Sequence, residues 1–418
     1  MHKVLVINGT MIGEKSGTGI TLENLFCNYP KEKILQLRVD CQERPHNTSY
    51  RTISTPVEFC LLPYLISSRR AANARHASFA AISQNASIVQ KGFKNAIRDG
   101  IRGLMDSWPL HFRCINREID CFKPEVIYTC GASIRILKTA LYYSKRYSVP
   151  IVLHLMDDWP RTLYTTSWGS FLFRKSVLNK LKKASQRSLQ SFAISEALAE
   201  KYANVLGVKM LPLMNPASRI ANGINAHQDE MVRFVYAGSI GLNRWKSLLD
   251  IAQVLETEAK KGTPNQFDLY VPTSNLTKEM DEAFKKYHAT LHPYVEQSEL
   301  IKIYNRSDVM VFAESFDENV TVFTRYSLST KIPEYMGTGN AIIAYLPAES
   351  HASSYLRDRG AGLVANTKNE LADIVNIILK DKRKRYQIAH NALDIVRLEH
   401  SQETEMTKFY SGLQKSTP

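Results

Sequence analysis

Short runs of β-branched and aliphatic residues alternate along this chain with stretches whose apolar positions recur every three or four residues. An unbroken apolar run predicts a strand buried on both faces, and the three-to-four spacing predicts a helix laid against it. In the first half the runs predict strands at Val4–Asn8, Ile34–Val39, Val126–Thr129, Ile151–Met156 and Ser191–Ser195, with helices at Ser133–Lys145 and Glu196–Leu206. The second half repeats the alternation. Strands are predicted at Arg233–Ala237, Phe267–Val271, Val309–Ala313 and Ala341–Tyr345, and helices at Ser247–Lys260, Ser298–Asn305 and Thr330–Met336. Further helical spacing runs from Asn369 to the end of the chain, with a last helix near Ser401–Gln414.

Strands separated by helices imply parallel sheets with crossover connections. The expected fold is therefore α/β: two Rossmann-like, doubly wound domains facing across a cleft, with ligands at the carboxyl ends of the strands. Leu211–Pro216 closes the first half, and the polar stretch over 217–230 reads as a hinge. This divides the chain into a domain over 1–216, the hinge, a domain over 231–399, and a tail over 400–418 whose helix turns back toward the first domain.

Composition adds constraints. A chain of 418 residues suits two domains of roughly 200 residues each. No apolar run reaches the roughly 18 residues that span a bilayer. The opening Met-His-Lys-Val-Leu-Val-Ile-Asn-Gly reads as a first strand rather than a signal peptide. The six cysteines include no C-x-x-C pair, so free thiols in a reducing cytoplasm are expected.

The net charge of +14 is concentrated. Residues 69–102 carry seven basic side chains against Asp99 alone, and residues 161–195 carry seven with no acid. Such patches suit an anionic partner, either a membrane surface or phosphates, rather than nucleic acid. Between Ile82 and Leu104 the residues Ile82, Val89, Phe93, Ile97, Ile101 and Leu104 share an arc of roughly 120° on a helical wheel. Lys91, Lys94, Arg98 and Arg102 adjoin it. That pattern fits a basic interfacial helix, and equally a surface helix packed on its own sheet.

Four segments carry candidate chemistry. Gly17-Thr18-Gly19 follows the first strand, where glycines let a backbone loop approach a phosphate or sugar. Leu22 stands where a dinucleotide fingerprint needs its third glycine. His154, Asp157 and Asp158 end a central strand ahead of Trp159-Pro160. His154 reads either as a cleft ligand or as a satisfied core histidine. Asp157 and Asp158 are adjacent and diverge, so no metal site is expected. Gly238 ends the first strand of the second half, and Arg244 and Lys246 follow it at a helix start suited to a diphosphate. Finally, Thr330 and Lys331 open a short helix with Glu334 one turn on. A carboxylate there could accept two hydrogen bonds from a ribose diol.

Together these segments resemble the family 4 glycosyltransferases of the GT-B fold. The shared features are the glycines at 17–19, the His154–Pro160 element, Tyr236-Ala237-Gly238, and Ser327–Gly339 followed by Ala-Ile-Ile-Ala-Tyr. His292–Val295 and Asn305–Val311 also match. The resemblance is stronger over 231–366 than before 150. It departs at Tyr326, where the family often has a glutamate, and at Ser239, where many members have a basic residue.

The resemblance implies transfer of a sugar from a nucleoside diphosphate sugar, with retention and without a metal, to a glycan or lipid-linked acceptor. The nucleotide sugar is then a substrate, and no cofactor is implied. Gly17, Gly19, Gly238, Arg244, Lys246, Tyr294, Thr330, Lys331 and Glu334 would hold the donor, and His154 and Asp157 would serve catalysis. A cytoplasmic enzyme of surface polysaccharide or glycolipid assembly, placed at the inner face of the cell membrane, is the expectation. A non-catalytic carbohydrate-binding protein on the same scaffold and a nicotinamide-dependent oxidoreductase are the alternatives.

Overall fold

The computed structural model describes residues 1–14, 16–39, 49–54, 97, 99–104, 106, 107, 113–164, 170–227 and 230–414. The helix read over Ile82–Leu104 lies outside these residues up to position 96. The described chain forms two compact units.

The first unit holds β1 (Val4–Asn8), α1 (Gly17–Phe26), β2 (Ile34–Arg38), β3 (Arg51–Ser54), α2 (Arg113–Phe122) and β4 (Val126–Thr129). It continues with α3 (Ile134–Tyr147), β5 (Ile151–Leu155), α4 (Trp159–Thr162), α5 (Ser170–Gln186), β6 (Ser188–Ala193), α6 (Glu196–Leu206) and β7 (Met210–Pro212). Its seven strands are parallel in the order β3-β2-β1-β4-β5-β6-β7. The order reverses between β1 and β4, the place where such sheets open a ligand crevice. Strands β1, β2 and β5 are buried throughout, which is why they read as unbroken apolar runs. Ser133 and Ser195 cap the helices that follow β4 and β6 by accepting from Ile136 N and Leu198 N.

The second unit contains β8 (Val232–Ala237), α7 (Arg244–Lys260), β9 (Asn265–Val271), α8 (Lys278–Lys286), β10 (Ala289–Pro293), α9 (Gln297–Asn305) and β11 (Val309–Ala313). Then come α10 (Glu318–Thr324), α11 (Lys331–Met336), β12 (Ala341–Tyr345), α12 (His351–Asp358), β13 (Leu363–Ala365), α13 (Lys368–Lys380) and α14 (Lys382–Glu399). Six parallel strands run β10-β9-β8-β11-β12-β13, with the reversal between β8 and β11.

Three boundaries differ from the sequence reading. The glycines at 17 and 19 lie in the first turn of α1, not in a loop ahead of it, because Ser16 caps the helix by accepting from Gly19 N. The stretch read as a hinge belongs to the second unit from Pro216 onward. Backbone bonds from Ala217 N to His400 O, Ala221 N to Gly337 O and Asn225 N to Gly339 O tie it down. The last helix, α15 (Gln402–Gln414), joins the first unit from Glu405. There Phe409 packs edge-on against Phe26 and Tyr128, with ring centroids 4.8 and 5.5 Å apart.

Candidate functional site

At the strand-order reversal of the second unit, α11 is bolted to the end of β8. The Tyr335 hydroxyl donates to Ala237 O and accepts from Ala237 N, each at 3.0 Å. This fixes Lys331, the first residue of α11, over the end of the strand. Its Nζ lies 3.2 Å from Tyr236 Oη and 4.6 Å from the Tyr236 ring centroid, a cation–π contact as well as a hydrogen bond. Gly238 leaves room for the amine: a Cβ there would stand 1.8 Å from Lys331 Nζ, and the backbone φ of +143° disfavours any other residue.

Glu334 follows Lys331 by three residues and shares its face of α11. It makes no hydrogen bond or ion pair with any described residue. Burial pushes its carboxyl pKa up, and the neighbouring Lys331 charge opposes that rise. It borders a small cavity with Arg219, Ala221, Gln297, Ile301 and Tyr304. The wall at Arg219 needs a glycine opposite it, because a Cβ at Gly337 would come within 2.3 Å of Arg219 O. Glu334 is thus a carboxylate with unspent acceptors in a pocket, close to an ammonium.

Arg244 has a different place from the one its sequence suggests. Its Nε and a terminal nitrogen bond Glu314 at 2.8 and 3.1 Å in a bidentate pair. Glu314 is buried at the end of β11, and Ser247 Oγ donates to its carbonyl at 2.7 Å. The charge of Arg244 is therefore already met, which makes it a positioning residue for the loop after Gly238. That loop stores strain: Leu242 and Asn243 both adopt φ near +57°, at +56° and +58°. Asn243 is held by a 3.0 Å bond to Asp317 Oδ2. Lys246 is exposed on α7 with its ammonium over Trp245, and Tyr294 is exposed beyond β10. Thr330 caps α11 through its backbone alone.

The first unit corrects the histidine. His154 has no exposed surface; its Nδ1 bonds Tyr128 Oη at 2.7 Å and its Nε2 bonds Leu213 O at 3.0 Å. Burial lowers its pKa to about 4. A ring with both nitrogens spent and no surface cannot touch a ligand, so His154 is a core residue. Asp158 is likewise spent, on Lys201 and on the Tyr202 hydroxyl at 2.5 Å.

Asp157 remains. One oxygen accepts from Asp158 N at 2.6 Å, and the other meets no donor among the described residues. Burial raises its pKa to about 7. The folded state therefore favours the protonated acid, and stability falls as pH rises from the ordinary carboxylate range through about 7. Asp157→Asn should remove that penalty. Because the side chain keeps some surface, we expect a gain about 2 kcal/mol larger at pH 8 than at pH 5. Denaturant melts at the two values check it; an equal gain at both would show that the carboxyl is not perturbed.

Residues 224–411 match the family model described as "Glycosyl transferase-like". The match falls mostly within the second unit, which is thus similar to a glycosyltransferase-like domain. The whole chain has the two-sheet α/β architecture of the GT-B fold, as the similar solved structures show. HepE of Anabaena, in complex with UDP and glucose, superposes with a TM-score of 0.62 at 13% identity, covering 100% of both chains. An E. coli structure described as "Trehalose-6-phosphate from E. coli bound with UDP-2-fluoro glucose" gives 0.60 at 11%, covering 99% of this chain and 100% of that one. The α,α-trehalose-phosphate synthase (UDP-forming) of Burkholderia vietnamiensis gives 0.60 at 12%, covering 99% of each. Among curated proteins no sequence match is found.

Proposed function

We propose that this protein is a glycosyltransferase that moves a sugar from a nucleoside diphosphate sugar to a glycan or lipid-linked acceptor. The observation that carries the reading is the pairing of Lys331 and Glu334 on one face of α11, beside a backbone opened by Gly238. The ammonium meets the diphosphate and stabilises it as it leaves, while the unspent carboxylate takes the ribose diol. HepE and the E. coli structure were solved with UDP and glucose or with a UDP-sugar analogue, which supports a nucleotide-sugar donor here.

In this reading Lys246 and the backbone of Thr330 lie along the same approach, and Tyr294 stands near the base. Gly17 and Gly19, in the first turn of α1, are donor contacts only as the resemblance implies. Asp157 would orient the donor sugar or the acceptor. Transfer proceeds with retention, as the resemblance implies, and needs no metal, because a fixed cation meets the leaving charge. Cys121 and Cys130 are free thiols, which suits the cytoplasmic side and a role in surface polysaccharide or glycolipid assembly.

The test is donor binding and turnover in buffer containing EDTA, after a thermal-shift screen of UDP, GDP, ADP and dTDP conjugates. Glu334→Ala should weaken the selected donor by about 2 kcal/mol, or roughly 30-fold, with folding unchanged. Unaltered affinity would remove Glu334 from the site. Binding without transfer to any acceptor would favour a carbohydrate-binding protein on this scaffold.

A further inference from the structure

We infer that the Tyr304 hydroxyl, beside Glu334, receives the 2′-hydroxyl of the donor's ribose, so that the site selects ribonucleoside over 2′-deoxyribonucleoside diphosphates. The inference rests on the sugar-transfer reading and deepens it by naming a residue and a class of donor.

The cavity bordered by Glu334 holds a second polar group with nothing to bond. Tyr304, near the end of α9, lines it and is only 6% exposed, yet its hydroxyl makes no hydrogen bond with any described residue. A hydroxyl left so is unfavourable in itself, and it turns into affinity when a ligand supplies the partner. The other polar side chains around the cavity are engaged or lie in water. Gln297 donates to Ser218 Oγ at 3.0 Å, Thr338 Oγ1 donates to Tyr335 O at 2.7 Å, and Arg219 and Asn305 are exposed.

Tyr304 is held in place before any ligand arrives. Its ring packs edge-on against Tyr335 with centroids 6.0 Å apart, and Tyr335 is itself bonded to Ala237. The Tyr304 carbonyl accepts from Asn340 Nδ2 at 2.7 Å. Fixing of this kind lowers the ordering cost of a contact. Burial above all pushes the phenol pKa well above its ordinary value, and Tyr335, Glu334 and Tyr294 add to the rise. The hydroxyl therefore keeps its proton at working pH and is able to donate to a ligand oxygen.

The order of neighbours gives the register. Lys331 opens α11 and Glu334 follows one turn on. Tyr304 lies within electrostatic reach of Glu334 on one side and of Tyr294 on the other. A donor with its diphosphate at Lys331 and its base at Tyr294 has its ribose between them. The 2′-hydroxyl stands on the carbon next to the one that bears the base, so it is the hydroxyl on the Tyr304 side. There it accepts from Tyr304 and donates to Glu334, while the 3′-hydroxyl meets Glu334 alone. A 2′-deoxyribose, as in dTDP conjugates, leaves the phenol unpaired, and a site built to bond a hydroxyl discriminates against a ligand that lacks it.

Calorimetry on the full chain tests the inference, with UDP, GDP and ADP each set beside its 2′-deoxy and 3′-deoxy forms. For the base that binds, the ribo form should bind about 30-fold more tightly than the 2′-deoxy form. Tyr304→Phe keeps the ring against Tyr335 and removes only the hydroxyl. It should weaken the ribo form about ten-fold and leave the 2′-deoxy form unchanged, while the loss on removing the 3′-hydroxyl stays as in the parent. Circular dichroism reports whether the variant folds, and the parent's ratio of ribo to 2′-deoxy affinity needs no variant. Equal affinity of the parent for the ribo and 2′-deoxy forms would overturn this inference alone. So would a folded Tyr304→Phe that binds like the parent, or one that weakens all three forms alike and thus only shapes the pocket. Binding of no nucleoside diphosphate at all would overturn the sugar-transfer reading, and this inference with it.

Discussion

Lys331→Ala is expected to weaken binding of the nucleoside diphosphate by about 2–3 kcal/mol, one to two orders of magnitude, while the protein stays folded. A charge-assisted contact to a diphosphate is worth that much when the cation is held in place before the ligand arrives. Lys331 meets this condition: Tyr335 fixes its helix to Ala237, and Tyr236 receives its amine at 3.2 Å. The loss should fall on phosphates alone, so the matching nucleoside without phosphates should bind parent and variant equally. Lys331→Arg should restore little, because the larger head group must fit the space over Gly238 that the amine fills. Gly238→Ala should act in the same direction as Lys331→Ala, since the added carbon and the amine cannot share 1.8 Å. Calorimetry with the diphosphate and with the nucleoside separates these cases. An equal loss for both ligands would mean that Lys331 shapes the pocket rather than meeting the phosphates.

The parts of this molecule legible in the sequence are those set by local pattern. Strands such as Val309–Ala313 and Ala341–Tyr345 are buried on both faces, so their apolar runs mark them residue by residue. The helix carrying Lys331 and Glu334 was equally visible, because it lies between a polar run and a glycine pair. What stayed hidden depends on partners far along the chain. His154 looked the same as a cleft ligand until its two acceptor and donor partners, 26 and 59 residues away, came into view. The polar stretch after Pro216 resembled a linker, yet Gly337 and Gly339 receive its backbone. Strand β10 (Ala289–Pro293), whose burial is only partial, lacks the apolar run that would have marked it. Glu314 could have been suspected, as a lone carboxylate directly after a buried strand, where such folds gather functional polar groups.

Glu314→Ala should be the most destabilising of the single changes in the second unit. It removes both acceptors from Arg244, whose side chain is only 19% exposed, and strands the guanidinium beside the end of the sheet. Breaking a buried pair on one side costs about 3–5 kcal/mol; the partial exposure of Arg244 lets water recover some of this, so about 3 kcal/mol is expected. Glu314→Gln retains one acceptor and should lose about half as much. The double change R244M/E314L removes both charges at similar volume and should lie close to the parent in stability. Hydrogen exchange over peptides from β8 and β11 reads the effect within the second unit, without requiring the whole chain to unfold in one step. The same variants decide what Arg244 does. As a positioning residue it anchors a loop that holds two left-handed residues, Leu242 and Asn243. Donor affinity should then fall in R244M/E314L even though stability is restored. Were Arg244 instead a phosphate ligand kept back by Glu314, the milder Glu314→Gln would free it and tighten donor binding. A rise in affinity for Glu314→Gln would therefore return Arg244 to the phosphate site and leave Lys331 as one of two cations there.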